Sequence, residues 1–170
     1  MLVRVDVEMN YYVLYCQTLK TEKICDRLNN KENIQAFIPR VEKYIRKKDD
    51  IEVKVMFPGY LFIETCFDKD EFHDFLIHLN EQRDGIIREL KKTDVSALTV
   101  EEIQLMNLLL DNNRIMRMSE GYKNNNKTVV TKGPLVHFQD NIVDIDKRDR
   151  IAILNITFLN RNIKAGFYYK

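Results

Sequence analysis

The sequence predicts an α+β domain followed by a small all-β barrel, and three observations support this division. Strand-like apolar runs alternate with amphipathic helical patterns as far as residue 115. Beyond residue 126 the apolar runs are short, closely spaced and without helical periodicity. Residues 124–126, all asparagine, form a polar tract between the two patterns, where a short linker or a hairpin turn fits. We therefore expect a first domain at residues 1–115, a linker at 116–126 and a second domain at 127–170.

The first domain opens with a strand and a helix. Residues 11–16 are aromatic and β-branched without a polar interruption, which is typical of a strand buried on both faces. Residues 18–30 place Ile24 and Leu28 on one helical face and charged residues on the other. The helix is therefore expected to pack against the sheet.

A hairpin is predicted next. Residues 36–45 are extended apart from a break at Pro39, and the charged residues 46–50 have the composition of a hairpin tip. Residues 51–56 alternate between apolar and charged positions up to Met56, which predicts a return strand with one buried face.

The rest of the first domain reads as helix, strand and helix. Asp68 and Glu71 have capping-box spacing at the start of an amphipathic helix. Residues 86–90 follow Gly85 as a short strand, and Thr99 begins a third helix. Helices placed outside an antiparallel sheet give an α+β sandwich.

The second domain consists of four predicted strands, at residues 128–131, 142–145, 151–158 and 163–168. Polar turns separate them. A small barrel fits this pattern because closure removes the edges that a flat sheet would expose.

The most distinctive motif is the corner formed by Phe57, Pro58, Gly59 and Tyr60, which leads into an apolar strand. Proline fixes its own φ and pushes the residue before it toward extended geometry, and glycine permits the turn. The corner is expected to hold two aromatic rings beside a strand. This arrangement suits a docking surface better than a reaction centre, although the same rings also suit the core of the domain.

Composition excludes several classes of protein. No apolar run approaches the length of a membrane span and the amino terminus lacks the apolar core of a signal peptide, so we expect a cytoplasmic protein without a membrane contact. Cys16, Cys25 and Cys66 form no pair with metal-ligand spacing and are expected to be buried free thiols. No phosphate loop, nucleophile elbow or acid–base pair is present. The sequence therefore predicts neither an enzyme nor a cofactor or metal site.

Charge is divided unevenly along the chain. Residues 1–122 carry 18 Lys or Arg against 22 Asp or Glu, a balance of −4, whereas residues 123–170 carry 9 against 4, a balance of +5. The short second domain is thus the basic one, which indicates a polyanionic partner or simply a solvated basic surface.

These motifs, in this order, resemble the NusG family of transcription elongation factors. The resemblance rests on the aromatic first strand, the corner from Phe57 to Tyr60, the strand after Gly85, and Lys132-Gly133-Pro134 followed by a strand and Lys147-Arg148. It implies an NGN domain with a ferredoxin-like sheet, then a KOW domain with an SH3-like barrel. Residues 119–122 and 146–148 look most like the LoaP-type specialised antiterminator paralogues. His137 and Asp140 stand where NusG proteins usually carry glycine, so we expect an altered turn there.

The resemblance also implies partners. The first domain would dock on the clamp helices of RNA polymerase through Tyr11, Phe57 and Tyr60. The tip cations Arg46, Lys47 and Lys48 would lie near non-template DNA, although their composition favours a solvated charged loop.

In LoaP-type proteins the barrel is implicated in binding an RNA hairpin in the leader transcript, and the protein is expected to act as a monomer. The candidate RNA-binding residues are Lys132, His137, Phe138, Lys147, Arg148, Arg150, Arg161 and Lys164. The alternative is a general NusG-like elongation factor whose barrel recruits a ribosomal protein or a termination factor.

Overall fold

The fold is described from a computed structural model, which describes residues 8–92, 95–96 and 98–170. Residues 1–7 of the predicted first domain lie outside this range. The described helices are α1 (Thr21–Asn29), α2 (Lys69–His78) and α3 (Val100–Leu109). The described strands are β1 (Asn10–Cys16), β2 (Ile34–Phe37), β3 (Arg40–Ile45), β4 (Asp50–Val55), β5 (Tyr60–Thr65), β6 (Ile86–Glu89), β7 (Lys91–Lys92), β8 (Val95–Ser96), β9 (Ile115–Met116), β10 (Ser119–Asn124), β11 (Lys127–Lys132), β12 (Ile142–Asp146), β13 (Ile151–Phe158) and β14 (Arg161–Tyr169).

The chain forms two compact units that do not follow the predicted division. Of the described residues, one unit contains those up to Ile38 and from Phe57 to Thr99, and the other contains 39–56 and 100–170. The hairpin β3–β4 and helix α3 therefore belong with the barrel. Pro39 separates β2 from β3 because it cannot donate to a sheet ladder, and this lets the chain leave the first sheet.

The first unit contains the predicted α+β sheet. Its strands have the order β2-β5-β1-β6, and every described pair is antiparallel. With α1 after β1 and α2 after β5, the elements follow the β-α-β-β-α-β order of a ferredoxin-like fold, which confirms the prediction.

The helices cover one face of this sheet. Tyr12 of β1 stacks on Phe72 of α2, with ring centroids 4.1 Å apart. Asp68 caps α2 as predicted, since its side chain accepts from the Glu71 backbone while the Glu71 side chain accepts from the Asp68 backbone. Ile24 of α1 is fully buried, as the helical pattern requires.

The second unit carries a curled five-stranded sheet with the order β11-β10-β14-β13-β12. Leu135, Leu154 and Phe167 are fully buried or nearly so and form part of its core. The predicted all-β barrel is confirmed as a curled half-barrel, in which β11 and β12 are edge strands.

Strand β10 occupies much of the range 116–126 for which the sequence predicts a linker. Asn125 and Asn126 both have positive φ, 46° and 63°, and join β10 to β11 in a two-residue hairpin. Asparagine tolerates left-handed geometry, so the tract makes a tight turn instead of a linker. The hairpin alternative left open by the sequence is the observed one.

Candidate functional site

An aromatic strip runs along strands β1 and β5 on the sheet face that does not carry Tyr12. Tyr15 lies opposite Tyr60 and Tyr11 lies opposite Glu64 in the antiparallel register. The rings of Tyr15 and Tyr60 are 5.4 Å apart between centroids. All three tyrosines are half-buried, whereas Val13 and Phe62, which lie between them on the same face, are fully buried.

Tyr15 is not among the residues predicted to bind the polymerase. Side chains alternate between the two faces of a strand, and this periodicity puts Tyr15 four residues from Tyr11 and on the same face. The signal was therefore present in the run of residues 11–16. We define the aromatic strip as Tyr11, Tyr15 and Tyr60.

Phe57 lies next to the strip but is buried. Its side chain is only 6% exposed, and its ring is 6.3 Å from those of Tyr60 and Phe62. The Tyr60 N–H donates to the Phe57 carbonyl at 3.1 Å, which closes the turn and folds the Phe57 ring onto the strand that follows. Phe57 therefore packs in the core, which is the alternative that the sequence left open for this ring.

Gly59 makes the corner possible. Its φ is +85°, and a Cβ at this position would lie 3.0 Å from the Cys16 carbonyl oxygen. The Cys16 N–H in turn donates to the Gly59 carbonyl at 2.7 Å. The corner is therefore fixed to the end of β1, next to Tyr15.

None of the three thiols near this sheet forms a disulfide. Cys16 is fully buried, as predicted, whereas Cys25 and Cys66 are half-buried. Burial raises the pKa of the Cys16 thiol to about 11. A thiol with so high a pKa is a packing group at neutral pH and not a nucleophile.

At the tip of the β3–β4 hairpin, two of the three predicted DNA-contacting cations have acidic neighbours. Lys48 forms an ion pair with Glu52. Arg46 Nη1 lies 3.7 Å from Oδ1 of Asp149 in the β12–β13 turn. Lys47 is exposed. The tip therefore presents less positive charge than its composition indicates.

Strand β4 does not have the buried face that its alternation predicts. Ile51 and Val53 are each 45% exposed. They lie opposite Tyr44 and Glu42 on a three-stranded sheet with the order β4-β3-β9, where β4 is an edge strand. Alternation indicates which residues share a face, but it does not ensure that another layer covers that face.

Arg150 in the barrel contacts two aromatic rings. Its guanidinium carbon lies 3.8 Å from the centroid of the Tyr44 ring and 4.8 Å from that of the Tyr168 ring. Tyr44 and Tyr168 were not expected to take part in any site. Sequence alone gave no signal for this contact, because the three residues are far apart along the chain.

The remaining barrel cations fall into separate groups. Lys147, Arg148 and Arg150 share the β12–β13 turn, where Lys147 lies 5.2 Å from the centroid of the Tyr169 ring. Arg161 lies at the other end of the β13–β14 hairpin, opposite Phe158.

The two remaining lysines are exposed but belong to neither group. Lys164 lies on β14 opposite Ile153, and Lys132 ends β11 opposite Glu120. The structure thus brings three of the predicted cations together at the β12–β13 turn and leaves the others spread over the barrel.

The segment at His137 differs from the altered turn that the sequence predicts. Residues Pro134–Asn141 form two short 3-10 helical stretches on either side of a kink at Phe138, and neither His137 nor Asp140 has a positive φ. Glycine is therefore not required at either position. His137 is exposed, but Phe138 is only 8% exposed and packs in the barrel core. Phe138 cannot stack on an RNA base without leaving that core, so its prediction as a contact residue is wrong here.

The described part of the chain contains neither a metal-binding cluster nor a membrane-spanning helix. Within residues 8–92, 95–96 and 98–170, no group of three or more His, Cys, Asp or Glu side chains is placed to hold a metal ion. Over the same residues, no helix is both long and apolar enough to span a bilayer.

Comparison with known proteins identifies the family. The family model described as "Transcription termination factor nusG" matches residues 9–107, which is more than half of the 170 residues. A solved structure described as "Domain interaction in Thermotoga maritima NusG" has a TM-score of 0.49 and 13% sequence identity, and the alignment covers 95% of this chain and 94% of that chain. No curated protein gives a significant match. On the strength of the family model, the chain belongs to the NusG family of transcription factors.

Proposed function

We propose that this chain is an antitermination factor that binds RNA polymerase through the aromatic strip and a hairpin of the nascent leader RNA through the barrel. The NusG family consists of transcription factors that bind RNA polymerase. The proposal adds a surface for each contact and a direction for the effect. Its central observation is the combination of a half-buried aromatic strip in one unit with a basic barrel in the other.

The aromatic strip is the proposed anchor on the clamp helices of the polymerase. Tyr11, Tyr15 and Tyr60 stand on a rigid antiparallel sheet, and Phe57 supports Tyr60 from below. Partly exposed aromatic rings on a rigid support lose little conformational freedom on binding, and they are common hot spots of interfaces. Truncation of one such ring commonly costs about 2 kcal/mol or more of binding free energy.

The β12–β13 turn is the proposed centre of RNA binding. Lys147 and Arg148 are exposed there, next to Arg150. Lys132, His137, Arg161 and Lys164 lie elsewhere on the barrel surface and would contact a larger RNA. A hairpin would be read through its phosphates and loop bases, because the major groove of A-form RNA is too narrow for side chains.

The hairpin tip is the proposed contact with non-template DNA, with Lys47 as its main exposed cation. Arg46 and Lys48 would first have to leave Asp149 and Glu52. This contact is therefore expected to be weaker than the other two.

The polymerase contact and the RNA contact are linked in one monomer. Once one of them has formed, the effective concentration for the other is raised, so neither surface needs to bind tightly alone.

The proposal assigns the chain to the LoaP-type branch. Residues 119–122 and 146–148 carry the resemblance, and both segments lie in the barrel. A specialised branch is consistent with His137 and Asp140, which replace the usual glycines. Under this proposal the barrel selects particular operons and the first unit supplies the general contact with polymerase.

A second candidate is a general elongation factor whose barrel recruits a protein. Two exposed apolar side chains favour it: Val136 is 48% exposed and Val143 is 60% exposed. Such side chains are more typical of a protein-binding surface than of a surface that binds only phosphates. The two candidates differ in which class of molecule the barrel binds.

Binding measurements with two sets of variants test the proposal. Tyr11→Ala combined with Tyr60→Ala should lower affinity for core RNA polymerase by at least about thirtyfold, the equivalent of 2 kcal/mol, and leave RNA binding unchanged. Lys147→Gln combined with Arg148→Gln should weaken binding of leader RNA and leave polymerase binding unchanged. Tyr122→Ala is a matched control, because Tyr122 is exposed but lies on the barrel strand β10. Equal polymerase binding by the strip variant and the control would contradict the proposed anchor.

A further inference from the structure

One end of the barrel carries a groove with a volume of about 750 Å³. It lies between the turn that joins β10 to β11 and the segment from Gln139 through β12, and Tyr169 lines it from β14. β11 and β12 are the two edges of the five-stranded sheet, so the groove lies where the curled sheet does not close by strand pairing. Its volume is within the range of roughly 300–1,000 Å³ that is usual for ligand sites.

Two backbone donors at the edges of this groove already have partners. The Val130 N–H donates to Gln139 Oε1 at 2.7 Å, and the Ile145 N–H donates to Asp144 Oδ1 at 2.9 Å. A peptide that adds as a further strand needs free backbone groups along the edge. The groove is therefore better suited to recognition through its side chains.

Those side chains combine three kinds of polar group. Lys123, Lys127 and Lys147 supply positive charge, residues 124–126 and Gln139 supply amides, and Asp140 and Asp144 supply carboxylates. Lysines pair with phosphates from many directions. Amides donate to and accept from base edges, and carboxylates accept from base amino groups. An acidic peptide would meet the same lysines, but it would face both carboxylates with few donors to offer them.

The Tyr169 wall is held in place by its neighbours. Its hydroxyl is 2.8 Å from the Thr128 hydroxyl, and its ring packs edge-on against Phe167 with centroids 5.1 Å apart. Lys147 lies over the same ring. Because this side chain is already ordered, less conformational entropy is lost when a ligand binds.

We propose that this groove binds unpaired nucleotides of RNA, with Lys123 and Lys127 on the phosphates and the amides on the base edges. The inference rests on the proposed function, and it adds that the loop of the hairpin enters the groove while the stem lies against the β12–β13 turn. None of Lys123, Lys127 or the asparagines was singled out from the sequence as an RNA contact. Lys123 and Lys127 contribute to the positive charge of the second domain. Only the fold brings these lysines and the asparagines together around one groove.

The test uses the full chain and RNA hairpins selected on it from a pool with a fixed stem and a randomised loop. Lys123→Gln combined with Lys127→Gln should lower affinity for the selected hairpin at least tenfold. It should also reduce the slope of log affinity against log salt by about 1.4, since single-stranded sites release about 0.7 counterion per phosphate neutralised. Affinity for a duplex with the same stem and no loop should not change. Lys23→Gln combined with Lys43→Gln is the matched control, because both lysines are exposed and outside the groove, and neither belongs to a proposed RNA, DNA or polymerase contact.

The possible failures are distinguishable. Unchanged hairpin affinity in the groove variant, or an equal loss in the control, would overturn the groove and leave the proposed RNA function standing. Failure of the wild-type protein to enrich any hairpin would overturn both. Equal affinity for a DNA hairpin with the same loop would overturn recognition of RNA, and binding of polyglutamate in preference to the hairpin would overturn the nucleotide assignment.

Discussion

Arg150 of the barrel and Tyr44 of the β3–β4 hairpin are joined by a cation–π contact, with the guanidinium carbon 3.8 Å from the ring centroid. Arg150 has a φ of +54° in the β12–β13 turn, and its guanidinium carbon is also 4.8 Å from the centroid of the Tyr168 ring. The contact fastens the hairpin to the barrel within one unit of the structure. Arg150, which the sequence predicts to bind RNA, is therefore already engaged in a contact within the protein.

Replacement of Arg150 by alanine should destabilise the protein. A cation–π contact of this kind is worth about 0.5–2 kcal/mol, so the free energy of unfolding should fall by that amount in urea titrations. Arg148→Ala is the control, since Arg148 is exposed in the same turn. A double-mutant cycle with Tyr44→Leu should give a coupling energy in the same range, and a coupling near zero would show that the contact contributes nothing.

Phe57 and Tyr60 should respond in opposite ways to truncation. Phe57→Ala removes a buried ring and should cost about 3–5 kcal/mol of unfolding free energy. Tyr60→Ala removes a half-exposed ring, so it should cost much less stability and more polymerase affinity. Urea unfolding and polymerase binding, measured on both variants, separate the two roles. A stable Phe57→Ala protein with a selective loss of polymerase binding would restore Phe57 as a direct contact.

Gly59→Ala should disrupt the corner. The left-handed conformation alone costs a residue with a Cβ about 1–2 kcal/mol, and the added Cβ would lie 3.0 Å from the Cys16 carbonyl oxygen. We expect a loss of at least that size in the free energy of unfolding, together with weaker polymerase binding, because the corner positions Tyr60. Gly59→Asn should be milder, since asparagine tolerates positive φ better than alanine. Equal stability of wild type and Gly59→Ala would contradict the strained geometry.

Glu52 should make stability depend on acid pH. Its hydrogen bonds with Lys48 and Lys54 lower the pKa of its carboxyl to about 2. As pH falls, the Glu52 carboxyl is protonated in the unfolded chain before it is protonated in the folded protein. The stabilisation from its hydrogen bonds is therefore fully present above the pKa of the unfolded state, and it is lost as pH falls toward the folded-state pKa of about 2. Glu52→Gln should therefore reduce the slope of unfolding free energy against pH between about 4.5 and 2. An unchanged slope would show that the pair does not persist in solution.

The fold was largely predictable because its signals are local. The capping box at Asp68 and the glycine of the corner each act within a few residues, and the structure has both where the sequence places them. The all-β character of the second domain followed from the short spacing of its strands. The asparagine tract admitted either a linker or a turn, and only pairing of β10 with β11 and β14 decides between them.

The candidate site was less predictable because it depends on contacts between distant residues. Periodicity gave the shared face of Tyr11 and Tyr15, but it could not tell whether Phe57 points into the core or into solvent. It likewise could not tell that Ile51 and Val53 remain exposed, or that Tyr44 meets Arg150. These outcomes depend on which layer covers each face, and that information is not local in the chain.

Transcription by the RNA polymerase of the source organism, on paired templates that differ only in a leader hairpin selected by the protein, tests the central claim most directly. The quantity measured is the fraction of transcripts that pass an intrinsic terminator downstream of the leader. We expect the protein to raise this fraction on the template with the hairpin and to leave the other template unchanged, and we expect the Tyr11→Ala, Tyr60→Ala protein to have no effect on either. Equal readthrough on both templates, or unaltered readthrough on both in the presence of the protein, would contradict antitermination directed by a leader RNA.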